Sequence, residues 1–115
     1  MPIEHHVAWL SSLGSQQRGV FLSAMIHNLT ISGRVLYHTD NGADVGMERA
    51  RALNEAIHAA SRHLISICAG NEDPCWIAPT VRALFPTEDP ALLEQVEQSW
   101  RYAQQRVTSA DPGLR

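Results

Sequence analysis

The sequence predicts an all-α fold, a compact bundle of about four helices, and three observations carry that prediction. Two long proline-free segments repeat apolar residues at helical spacing. No run alternates apolar and polar residues between turn signals, so no strand is expected. Asp-Pro and Gly-Asn pairs punctuate the chain where helices would start and stop.

The first long helix is expected from Ser15, as N-cap, to about Tyr37. Projected at helical pitch, Val20, Phe21, Ala24, Met25, Leu29, Ile31, Val35 and Leu36 form its core face. His27, Thr30, Arg34 and Tyr37 recur at intervals of three, four and three, and so form a second, polar stripe. Residues 38–46 collect Gly, Asn and Asp and read as a loop. The second long helix is expected from Met47 to about Ala69, with Leu53, Ile57, Ala60, Leu64, Ile67 and Cys68 inward, and Gly70-Asn71 as its stop. A short connection predicts that the two pack as an antiparallel hairpin.

Asp73-Pro74 starts a third helix through Trp76, Ile77, Val81, Leu84 and Phe85. Pro79 lies inside it and predicts a short or kinked element that ends before Pro86. Asp89-Pro90 starts the last helix, whose stripe of Leu92, Leu93, Val96, Trp100, Ala103 and Val107 runs to about Arg106. Residues 1–14 and 108–115 are expected to be irregular, apart from a helical turn around Val7, Trp9 and Leu10.

The length of 115 residues suits one domain, and 44% apolar with 18% charged residues is the balance of a chain that folds unaided. The net charge is -3, and the Lys+Arg total of 9 is carried by arginines scattered along the chain, so no basic stripe invites nucleic acid. Residues 1–10 hold two histidines and a glutamate where an export signal places a basic and then an apolar run. Arg34, and Arg62 with His63, interrupt the longest apolar stretches, so no membrane span is expected. These readings predict a cytoplasmic protein, in which Cys68 and Cys75 are two free thiols.

Glu55-x-x-His58 has the spacing of a metal-binding helical bundle, but such sites need two pairs and further carboxylates. The pair is therefore expected to be exposed or interfacial. His58 and His63 are five apart and His5 and His6 adjacent, neither of which is a zinc-helix spacing, and no nucleophile motif or phosphate loop is present. No catalytic residue, metal or cofactor is predicted. The broader candidate joins the two polar stripes: His27, Thr30, Arg34 and Tyr37 against Asn54, Glu55, His58 and Arg62. Arg34 facing Glu55 would cross-link the helices by a two-point ion pair. Read as a pocket, the same set would hold an anion between Arg34 and Arg62. Trp100 is expected in the core and Trp76 in either the core or an interface. Arg82, Arg101 and Arg106 are expected as solvated helix-face charges.

Asn28-Leu29-Thr30-Ile31-Ser32-Gly33-Arg34-Val35-Leu36-Tyr37 and Arg51-Ala52-Leu53-Asn54-Glu55-Ala56-Ile57-His58 resemble segments of small, uncharacterised bacterial helical proteins. Those carry Leu-Thr-Ile-x-x-Arg-x-x-Tyr and then Leu-x-x-Asn-Glu-x-x-His; here Arg51 takes the second leucine's place, and Ala59 stands where an arginine often follows the histidine. The resemblance covers the two long helices, implies no activity, and singles out Thr30, Arg34, Tyr37, Asn54, Glu55 and His58. The expected function is that of a small accessory or regulatory protein acting by protein–protein interaction, as a homodimer and with a protein partner. The alternative is a small-molecule or metal site between the long helices.

Overall fold

The computed structural model describes the backbone of residues 3–39, 44–71, 73–85 and 89–110, and their side chains except 33–39, 44–47 and 110. Among them are five α-helices: α1 (Ile3–Ser11), α2 (Ser15–Thr39), α3 (Asp44–Cys68), α4 (Ile77–Leu84) and α5 (Pro90–Ala110). One 3-10 turn, Pro74–Trp76, precedes α4, and no strand occurs among the described residues. The all-α class holds; the helices number five rather than about four. The additional one is α1, in a stretch expected to be irregular, and α5 continues past the expected end.

Helix ends follow their capping chemistry. Gly14 rather than Ser15 supplies the first carbonyl of α2, to the Arg18 amide at 2.9 Å. Gly70, at φ 89, closes α3: its N–H donates to Ile67 O at 2.9 Å and that of Asn71 to Ser66 O at 3.0 Å. This pairing of bonds satisfies two carbonyls of the last turn and requires a left-handed residue, which glycine adopts without strain. Asp73 Oδ1 accepts from the Cys75 amide at 3.0 Å, and Asp89 Oδ1 from the Ala91 amide at 3.0 Å. Pro79 is the third residue of α4, where an amide would lack a helical partner, so the helix runs through it unbroken.

The α2 helix packs against both α3 and α5, while α4 packs against α1 and α3. Phe21, Leu22, Met25 and Leu29 of α2 are fully buried, whereas Val20 and Ile31, expected in the core, are 37% and 47% exposed. The inward stripe of α2 therefore turns toward Leu22. On α3 it turns toward Ala56, Ala59, Ala60 and His63, while Ile57, Leu64 and Ile67 are half-buried and Cys68 is exposed. Alanines at the contact let helix axes approach closely, which places the larger side chains at the flanks.

Trp100 is the centre of the core, fully buried as expected. Phe21 meets its indole edge-on at 4.6 Å between centroids, and Trp9 does so at 6.0 Å. Burial of rings this size contributes on the order of 2–3 kcal/mol each, enough to hold a short helix such as α1 in place. A partly buried polar link also joins α2 to α5, where Ser99 Oγ donates to Asn28 Oδ1 at 2.5 Å. Among the described residues no helix is long and apolar enough to cross a membrane.

Candidate functional site

A groove of about 620 Å³ runs along α2 and is walled by α3 and α5. Along α2 it is lined by Gly19, Val20, Ser23 and Ala24. Leu64 and Cys68 form one wall and Tyr102 and Arg106 the other, with Gln16 and His27 at the two ends. From Gln16 to His27 the helix rises roughly 16 Å, about three turns. A Cβ built on Gly19 would stand 3.9 Å from Leu64 Cδ1, so the wall is close without crowding the floor.

The electrostatics of this groove are one-sided. Among the described residues that line it none is a carboxylate, and Arg106 is their fixed charge. In a chain of net charge -3, a trough with a cationic edge and no acid is a local reversal of sign.

The expected polar site is placed as follows. His27 is exposed and stands in the groove. Thr30 is half-buried, and its Oγ1 donates to Ile26 O at 2.7 Å, a bond within its own helix. Asn54, Glu55, His58 and Arg62 are all exposed on α3. The side chains of Arg34 and Tyr37 lie outside the described residues, and so does the expected Arg34 to Glu55 ion pair. Among the described residues no three His, Cys, Asp or Glu side chains converge on a point. Cys68 and Cys75 are exposed free thiols, and Asp73 beside Cys75 pushes that thiol up from its ordinary range, away from nucleophilic character.

Three clusters escaped the reading of the sequence. His6 stacks on Trp100 with centroids 4.0 Å apart, and its Nε2 lies 3.1 Å from Glu97 Oε2. Arg49 Nε donates to Asp89 Oδ2 at 2.7 Å, which ties the first part of α3 to the start of α5. That hydrogen bond is the largest cause of the Asp89 carboxyl's lowered pKa. The third cluster is buried: Arg18 is 5% exposed and His63 2%. Arg18 Nε and His63 Nδ1 have no hydrogen-bond partner among the described residues. Burial first, and then the charge of Arg18, pull the His63 imidazole down to about 4. A signal for this pair was present, since Arg18, Leu22, Met25 and Leu29 share one helical stripe, as do Ala56, Ala60 and His63.

No family model matches the chain, and no curated protein or solved structure matches it either.

Proposed function

We propose that this is an accessory protein acting by protein–protein interaction, whose groove along α2 receives one acidic amphipathic helix of a partner. The observation that carries this reading is the combination of an apolar, three-turn trough with a cationic edge and no carboxylate among the described residues that line it. Helix-in-groove recognition needs an apolar floor for the buried stripe and complementary charge at the rim. Gly19, Ser23 and Ala24 supply close approach, Val20 and Leu64 apolar contact, and Arg106 a guanidinium for a carboxylate on the incoming helix. In this reading α2 and α3 form an antiparallel hairpin, which the short link 40–43 and the nearness of Gly19 to Leu64 support.

The homodimer is the rival occupant. A two-fold pairing through this groove would bring the cationic edges of both copies to one interface without a lining carboxylate to offset them. A small molecule is the other rival, and the volume suits one, but a trough that follows α2 from Gln16 to His27 suits an elongated guest better.

Fluorescence anisotropy with a labelled model helix of about 15 residues, leucine on one face and glutamate on the other, tests the proposal. Saturable binding is expected, and Ser23→Trp, which fills the exposed floor, should weaken it at least about tenfold. Equal binding of a lysine-faced control, or indifference to Ser23→Trp, would overturn it. A concentration-dependent dimer that Ser23→Trp dissociates would assign the groove to a second copy instead.

A further inference from the structure

Gln16, Val20, Ser23 and His27 follow one another at intervals of four, three and four, the spacing of a heptad seam. All four are exposed and line the groove. Roughly half a turn away on α2, Phe21, Met25 and Leu29 are fully buried, so the helix has one face in the core and a seam facing out. Beside it, α3 and α5 each pack along α2 and make no comparable contact with each other among the described residues. These three helices therefore form a layer with the groove on its open side. Seams of this spacing pack helices side by side at about 20°, whereas ridges spaced by four residues cross at about 50°. A guest about 16 Å long and turned by about 50° would swing its ends roughly 6 Å sideways, against Leu64 and Cys68 or against Tyr102 and Arg106. At about 20° the swing is roughly 3 Å.

We infer that the groove selects a partner helix with a heptad seam of leucines and an acidic outer face, which docks as the fourth helix of a bundle with α2, α3 and α5. The inference rests on the groove being a helix receptor, and it adds the sequence pattern of the guest. Gly19, next to the seam, supplies a hole for one side chain. A Cβ there would stand 3.9 Å from Leu64 Cδ1, the nearest described atom beyond its chain neighbours and its own helix backbone. A leucine of the guest enters this space between Val20 and Leu64, as a knob enters the hole of a facing helix. The other seam residues, Gln16, Ser23 and His27, are polar, and polar seam positions fix register at some cost in affinity. Arg106 on the α5 wall pairs with a carboxylate of the guest's outer face.

The test compares two labelled peptides of about 15 residues and one composition, leucine on the inner face and glutamate on the outer, by anisotropy with the unaltered protein. One spaces its leucines at four, three and four, the other at every fourth residue. The heptad peptide should bind at least about tenfold more tightly. Gly19→Leu, which fills the hole, should weaken that peptide about tenfold, and changing one particular leucine of the peptide to alanine should recover most of the loss. A thermal melt checks that Gly19→Leu keeps its fold, and the comparison of the two peptides needs no variant. Equal affinity of the two peptides would overturn the inference and leave the helix receptor standing. A loss in folded Gly19→Leu that no leucine-to-alanine change recovers would overturn it as well. Binding of neither peptide would overturn both the seam and the receptor.

Discussion

The ring of His6 lies on the indole of Trp100, the two planes within 18° and the centroids 4.0 Å apart, while its Nε2 meets Glu97 Oε2 at 3.1 Å. This contact joins α1 to α5 and shows why a segment with two adjacent histidines folds as a helix. One of the pair faces the core and the other faces water. His6→Ala should lower stability by about 1–2 kcal/mol, from the lost stack and the lost bond to a carboxylate, read as a reduced urea midpoint. An unchanged midpoint would mean that α1 is not held through this ring.

His63 makes stability depend on pH in a defined window. Its folded pKa of about 4 lies below the ordinary 6.5, so between these values the unfolded chain binds the proton that the folded chain refuses. Stability is complete above about pH 6.5 and declines as pH falls toward 4, by up to roughly 3 kcal/mol. Urea titrations across this range in carboxylate-free buffer should show the slope, and His63→Leu should flatten it.

Two glycines should respond to alanine in opposite directions. Gly70 sits at φ 89, where a Cβ is strained, so Gly70→Ala should cost about 1 kcal/mol. Gly19 lies inside α2, and its added Cβ would meet Leu64 Cδ1 at an ordinary 3.9 Å. Gly19→Ala should therefore stabilise by about 0.5–1 kcal/mol through the helix preference of alanine. Thermal melts of the two variants check both signs.

Much of the helical frame is legible in the sequence, because helix ends are set by local chemistry. Asp73 and Asp89 each accept from an amide two positions on and Gly70 donates to a carbonyl three positions back, and each stands where the sequence places it. The rotation of each helix about its axis is less legible. Val20 and Leu22 are both apolar, and which one faces inward depends on how closely Ala56 and Ala60 let α3 approach. The first helix is illegible for a related reason, since His6 gains its place from Trp100 and Glu97, far away in sequence.

The groove could not be read from any one segment. Its floor comes from α2 and its walls from α3 and α5, so residues such as Ser23 and Arg106 look like ordinary surface until the helices are assembled. Of the polar residues marked on the two long helices, His27 is the one that lines it.

Loss of the cationic edge should weaken a guest without unfolding the bundle. Arg106 is exposed on α5, so Arg106→Glu is expected to leave Tm within a few degrees of the unaltered protein and to reduce binding of a glutamate-faced helix by about tenfold. Paired calorimetric melts and anisotropy titrations separate the two effects.

The most direct measurement is an amide chemical-shift map of the labelled protein titrated with the glutamate-faced model helix. Helix docking in the groove should confine the shifts to Gln16–His27 of α2, the Leu64 to Cys68 turn of α3 and the Tyr102 to Arg106 turn of α5. Shifts spread over the outer face of α3 around Glu55 and His58, or none at saturating peptide, would contradict it.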